Sequence, residues 1–212
     1  MTNWLSLDDI EKKAFRSTFQ DGIWDIYLGL LLFFFGFQPI LQDLFGFEPR
    51  ESVWWALIPV LIAMAGFFLG KRYITIPRMG RVKFGPERKK KRLKVSIVLS
   101  ASALVGLVLF LLVGPLQRSL GGPMASTIAL GVFFVNCVVV FSLGAYYLDY
   151  GRAYLYGWFF GLAMPLASLL RPHTRWAFPL VFGVFCGIML TIGVVLLARF
   201  LRQYPAGEGV TG

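Results

Sequence analysis

Six long apolar runs divide this sequence and limit what it can fold into. They cover residues 23–45, 53–70, 95–117, 124–148, 153–170 and 176–198. A helix needs roughly 20 mainly apolar residues to cross a hydrocarbon layer of about 30 Å. Hydrophobic residues make up 57% of the chain and charged residues only 15%, which excludes an ordinary soluble domain. We therefore predict an all-α membrane protein with six transmembrane helices.

The second and fifth runs are near the lower length limit for a span. A core of four spans with two re-entrant or tilted segments is therefore the structural alternative. The six-span interpretation divides the chain into a lead-in, two spans, a basic loop, four spans and a tail. These parts cover residues 1–22, 23–70, 71–94, 95–201 and 202–212.

The lysines and arginines predict the orientation, because short loops rich in them stay on the cytoplasmic side. With the N-terminus inside, 17 of the 21 basic residues fall in cytoplasmic segments, and eleven of these lie in residues 71–94. Only Arg50, Arg118, Arg171 and Arg175 fall on the other side. We predict that both termini are cytoplasmic and that the protein lies in the cell membrane.

The lead-in carries a helix-start pattern, with Ser6 followed by Asp9, and then apolar residues at helical spacing. This pattern predicts a short amphipathic helix in the headgroup region, with Lys12, Lys13 and Arg16 facing lipid phosphates. A solvated lead-in helix is the alternative.

The basic loop has two parts, of which the first is residues 73–84. Apolar residues alternate on either side of the stretch from Pro77 to Gly80. Alternation around a tight turn is typical of a β-hairpin, so we predict one here. An isolated hairpin is marginal in water, and this one would need support from the membrane surface or the spans.

The second part, residues 88–94, is a polybasic run placed directly before the third span. Its position predicts contact with anionic lipid or with a membrane-protein partner, although the run can also serve only to set the topology. We expect no nucleic-acid binding, since no recognisable reading module accompanies it. The candidate contact residues of the whole loop are Arg78, Arg81, Lys83, Arg88, Lys89, Lys90, Lys91 and Arg92.

Residues 72–85, with Pro77-Arg78-Met79-Gly80-Arg81-Val82-Lys83-Phe84 at their centre, carry a family resemblance. The stretch resembles a loop of small multi-span prokaryotic membrane proteins that have no assigned function. It implies a membrane protein, and it implies no activity and no functional residue.

Acidic residues at the entry to the first span form a candidate gate. Asp21 and Asp25 are four residues apart and share one helix face. Acids there complement the positive end of the helix, which is the structural interpretation. The functional interpretation pairs them with the basic loop or with Arg152, which lies beside Asp149 in the loop between spans four and five.

A second cluster follows the fifth span, where Arg171, His173 and Arg175 can together bind a phosphate or carboxylate at the outer surface. A solvated loop is the alternative. His173 is the sole histidine, which excludes a histidine dyad.

Within the spans, Asn136 is the deepest polar residue, and we expect it to form an interhelical hydrogen bond. Small-residue pairs in the spans would let helices approach closely, within one chain or in a homodimer. These Gly-x-x-x-Gly pairs are Gly66 with Gly70, Gly157 with Gly161, and Gly183 with Gly187.

Ionisable residues are absent from the span centres, which makes a proton- or ion-coupled transporter a poor match. No catalytic, cofactor-binding or metal-binding motif occurs, so we expect no cofactor and favour a non-enzymatic protein.

A scaffold or regulatory subunit acting through the basic loop is the first hypothesis. The second is an uncoupled transporter or flippase for a lipid or amphiphile, because most prolines fall toward the outer side and would splay the helices there. A membrane-embedded enzyme ranks third.

Overall fold

The computed structural model describes residues 19–46, 49–79 and 86–204, and in these ranges all regular secondary structure is helical. Six long helices contain the predicted spans, and a π-helical turn followed by a short helix extends the second of them. The elements are α1 (Ile23–Phe45), α2 (Pro49–Gly70), π1 (Lys71–Thr75), α3 (Ile76–Met79), α4 (Pro86–Leu120), α5 (Gly122–Leu148), α6 (Arg152–Leu170) and α7 (Ala177–Gln203).

Within the described residues, six helices are long and apolar enough to cross a membrane. The two shortest apolar runs lie within α2 (Pro49–Gly70), which has 22 residues, and α6 (Arg152–Leu170), which has 19. Both lengths suffice for a span, so the six-helix prediction is confirmed.

The predicted β-hairpin is wrong. Its first arm is helical, because α2 continues through π1 into α3 as far as Met79. Residues 80–84, the remainder of the predicted hairpin, lie outside the described residues. The helix prevails over the β-branched local sequence because Lys71 and Thr75, four residues apart, both reach Asp21 from one helical face. The predicted N-terminal amphipathic helix also lies largely outside the described residues.

The chain folds as two compact units, one made of Met1–Phe84 with Phe178–Gly212 and the other of Gly85–Ala177. In the first unit, α1 packs against α2 through aromatic rings, with Trp24 and Tyr27 at 4.6 and 5.1 Å from Phe67 between ring centroids.

The same helix α1 also packs against α7 along glycines seven residues apart, Gly22, Gly29 and Gly36. A β-carbon at Gly22 would lie 2.2 Å from the carbonyl oxygen of Gly193, and one at Gly36 would lie 2.1 Å from the β-carbon of Phe182. Later residues of α1 contact earlier residues of α7, so the two helices are antiparallel. Gly29 and Gly36, seven residues apart, share one face of α1, and Gly22 continues the contact just before the helix begins.

In the second unit, α5 packs against α6 through one of the predicted small-residue pairs. Gly157 and Gly161 lie against Phe141 and Phe134, so this pair serves packing within the chain.

The amide of Asn136 donates a hydrogen bond of 2.9 Å to the hydroxyl of Ser102 on α4, which confirms the interhelical bond expected there. Such a bond contributes about 0.6 kcal/mol on average in membrane proteins.

Candidate functional site

Asp21 lies just before α1 and forms the centre of a buried acid–base cluster. Its side chain is fully buried and accepts three hydrogen bonds. The backbone N–H of Ile23 donates to Oδ1 at 3.2 Å, and Lys71 Nζ and Thr75 Oγ1 donate to Oδ2 at 2.6 and 2.5 Å. A charge-assisted bond of this length is among the stronger polar contacts in proteins. Three donors on one carboxylate also supply the contacts that its burial requires.

Two local features of the chain place these groups together. An aspartate just ahead of a helix accepts a backbone N–H that has no partner inside the helix, which is the role of Asp21 toward Ile23. On the facing segment, the π-helical turn π1 carries Lys71 at its first position and Thr75 at its last. Single turns of π-helix are frequent at functional sites.

Asp25, one helical turn after Asp21, is also fully buried. Lys71 interacts electrostatically with both carboxylates, so one ammonium group lies among two buried acids. Both acids also lie at the beginning of α1, where the positive end of the helix stabilises negative charge. We name Asp21, Asp25, Lys71 and Thr75 the acid–base cluster.

The geometry of the acid–base cluster is that of a latch between two helices. The ion pair joins the beginning of α1 to the end of α2, and only 19% of the Lys71 side chain is accessible to solvent. The described residues contain no group of three or more histidines, cysteines or acids arranged to hold a metal ion. With Asp21 Oδ2 occupied by two donors, the cluster is built to hold helices together.

The other half of the predicted gate lies in the second unit. Asp149 ends α5 with a left-handed backbone, at φ 53°, and its Oδ2 lies 3.9 Å from Lys91 Nζ. The guanidinium of Arg152 lies 5.3 Å from the ring centroid of Tyr150, in cation–π geometry. Asp21 and Asp25 belong to the first unit, so a gate that joins them to Arg152 stays a prediction.

The candidate contact residues of the basic loop have different surroundings. Arg78 donates a hydrogen bond of 3.0 Å to the carbonyl of Ile74, one turn earlier. Lys90 and Arg92 are exposed on the first turns of α4, and Lys91 reaches Asp149. Just beyond them, Lys94 Nζ lies 5.5 Å from the ring centroid of Tyr147. The described side chains do not include Arg81, Lys83, Arg88 and Lys89.

The predicted outer anion site is an exposed turn between α6 and α7. Arg171, His173 and Arg175 are all exposed, and the guanidinium of Arg175 lies 5.6 Å from the ring centroid of Trp176. The Thr174 hydroxyl accepts a hydrogen bond of 3.2 Å from the backbone N–H of Trp176, which orders the turn. These residues are accessible to a ligand, and anion binding by them stays a prediction.

The second unit also contains a cavity of about 600 Å³ between the first half of α5 and the last half of α6. Its described lining carries no charged residue. The walls are Pro123, Ser126, Thr127, Leu130, Gly131, Phe134, Leu162, Pro165, Ser168 and Leu169. Pro165, one of the prolines expected to splay the helices, forms part of this wall.

Lys71 and Thr75 are the members of the acid–base cluster that the sequence does not single out. In the sequence, Lys71 is one of eleven basic residues of the basic loop, and Thr75 lies in the predicted β-hairpin. The sequence does contain one signal for them. Lys71 and Thr75 are four residues apart, as Asp21 and Asp25 are, and residues four apart share one face of a helix.

Comparisons with known proteins do not assign these residues a role. No protein-family model, no curated protein and no solved structure matches this chain.

Proposed function

We propose that this chain is a multi-pass protein of the cell membrane that acts as a non-enzymatic scaffold or regulatory subunit through its basic segment, residues 71–94. Both termini and this segment lie in the cytoplasm in the proposed topology. The proposal is supported by the 17 of 21 basic residues that this topology places inside and by six helices of membrane-spanning length.

The single observation that carries the proposal is the buried contact of Asp21 with Lys71 and Thr75. It holds the first residues of the basic segment against the beginning of α1. The last residues of the segment are also attached, because Lys91 reaches Asp149 and Lys94 lies over Tyr147. These contacts at its two ends suit the basic segment to display charge to a partner.

We propose anionic lipids of the inner leaflet as the first partners of the basic segment. A membrane protein or a second copy of the chain is a further proposed partner. Lys90 and Arg92 are exposed where α4 begins. A basic residue near an anionic membrane surface contributes about 1 kcal/mol of binding. The polybasic run 88–94 therefore supplies enough attraction to bind several acidic headgroups at low salt.

Neutralising Arg88, Lys89, Lys90 and Lys91 together to glutamine is expected to lower the anionic lipid retained by the purified protein several-fold. The measurement is mass spectrometry of the lipids that co-purify from membranes of defined composition. The matched control neutralises Arg171 and Arg175, which the proposed topology places on the opposite side. Labelling of a cysteine introduced into residues 205–212 verifies that each variant keeps its orientation. Equal retention by both variants would contradict the proposal.

The cavity of about 600 Å³ favours a second candidate, an uncoupled transporter or flippase for a lipid or amphiphile. In the proposed topology the cavity lies in the outer half of the membrane, near the exposed turn with Arg171, His173 and Arg175. The test is movement of a fluorescent lipid between the leaflets of vesicles that contain the purified protein. Movement at the rate of protein-free vesicles would remove this candidate.

A further inference from the structure

The cavity between α5 and α6 has one polar end and one apolar end. Ser126, Thr127 and Ser168 line the part nearest the start of α5, whereas Leu130, Phe134 and Leu162 line the deeper part. An amphiphile fits such a gradient with its headgroup toward the membrane surface and its chain toward the centre. The lining runs along α5 from Pro123 to Phe134, which is about 16 Å at 1.5 Å per residue. That length matches one leaflet, which is about half of a hydrocarbon layer of about 30 Å.

Close packing of the helices below the cavity marks its inner limit. Gly161 on α6 lies against Phe134, and Gly157 lies against Phe141 one turn deeper. Pro165 follows Gly161 by one turn and lines the cavity. A proline inside a helix removes a backbone donor and disturbs the preceding turn, which disfavours continued close packing. On α6, Pro165 therefore lies where the close packing of the two helices gives way to the cavity.

Two of the three hydroxyl groups at the polar end, those of Ser126 and Thr127, already use their protons. Ser126 Oγ and Thr127 Oγ1 both donate to the carbonyl oxygen of Pro123, at 2.8 and 2.9 Å. A hydroxyl that donates in this way still has lone pairs with which to accept. The Ser126 and Thr127 hydroxyls therefore present acceptors, and a ligand group beside them must supply the donors.

This arrangement selects among lipid headgroups. A phosphate or carboxylate group is ionised and supplies only acceptors, so it would face the lone pairs of Ser126 and Thr127. An ammonium group supplies donors, but the described lining holds no acidic residue to compensate its charge. An alcohol headgroup supplies donors without a charge and meets both conditions.

From these observations we infer that the cavity between α5 and α6 binds a neutral, hydroxyl-bearing lipid of the acylglycerol class. The evidence for this site is the cavity and its hydroxyl groups. The site requires neither the proposed scaffold function nor lipid transport. A cavity of several hundred Å³ with few oriented polar groups is the usual form of a small-ligand site.

The experiment uses the full chain in lipid nanodiscs and a monoacylglycerol that carries a photoreactive diazirine in its acyl chain. We expect saturable labelling of peptides from residues 122–134 and 162–169, located by mass spectrometry. Analogues with the same chain and either a phosphate or an amine headgroup should label these peptides at least fivefold less. Equal or stronger labelling by either charged analogue would overturn the assignment.

Two sets of variants test the site itself. Gly131→Leu places a side chain in the cavity and should reduce labelling about tenfold. Gly144→Leu on the same helix is the matched control and should leave it unchanged, since a β-carbon at either glycine meets no atom within 4 Å. The pair Ser126→Ala and Thr127→Val removes the acceptors and should weaken binding of the monoacylglycerol about fivefold. Unchanged labelling in Gly131→Leu would refute the site.

Discussion

Changing Lys71 to methionine is expected to destabilise the protein by about 3 kcal/mol, since removal of one partner from a buried ion pair leaves the other uncompensated. Methionine keeps the apolar length of the side chain but leaves Asp21 and Asp25 buried beside each other without the ammonium group. The loss is measured as the free energy of unfolding in mixed micelles, titrated with dodecyl sulfate.

A double-mutant cycle and a second ion pair provide the controls. Asp21→Asn retains an oxygen for the N–H of Ile23 and removes one of the two charges, so the Asp21→Asn and Lys71→Met double variant should recover part of the stability lost. Lys91→Met breaks the pair with Asp149, which spans 3.9 Å and in which the Lys91 side chain is 40% exposed. Exposed pairs contribute less than about 1 kcal/mol, so this change should be nearly neutral. An equal loss in the Lys71 and Lys91 variants would show that the acid–base cluster has no special role.

Changing Gly22 to alanine is the second change with a large expected effect, again about 3 kcal/mol or more. The residue has φ of 75°, which costs a residue with a β-carbon about 1–2 kcal/mol. The added methyl would also lie 2.2 Å from the carbonyl oxygen of Gly193, and overpacking typically costs a further 1–3 kcal/mol or so. Because the contact is with backbone, relief requires α1 and α7 to separate. The thermal midpoint of the purified protein should fall accordingly.

Gly46 offers a matched control for the backbone part of this effect. It also has a left-handed backbone, with φ of 64°, but a β-carbon there would meet no atom within 4 Å. Gly46→Ala should therefore cost only about 1–2 kcal/mol, the strain of the left-handed conformation. The difference between the two variants measures the contact between α1 and α7. A Gly22 variant no less stable than the Gly46 variant would contradict the packing argument.

The helices were predictable because apolar runs of sufficient length leave few alternatives in a membrane. Each backbone N–H and C=O must find a partner within the helix when no water is present. The interhelical bond of Asn136 was predictable for a related reason, since an amide deep in a span needs a partner and Ser102 supplies one.

The hairpin prediction failed at the boundary of a span, where local pattern is a weak guide. The residues Tyr73, Ile74, Thr75 and Ile76 favour a strand by their intrinsic preference. Their actual conformation is helical because Lys71 and Thr75 bond to Asp21, which lies about 50 positions earlier in the sequence. A contact over that sequence distance leaves no trace in a local pattern.

The sequence by itself determined six apolar helices, the segregation of basic residues on which the proposed orientation rests, and the acids at the entry to α1. These follow from composition and periodicity, which act over a few helical turns. Only the tertiary structure decided that Lys71 is the residue of the basic loop that pairs with Asp21, that Gly22 faces Gly193, and that a cavity opens beside Pro165. The physical reason is that packing depends on which helix faces meet, and that is set by side chains far apart in the chain.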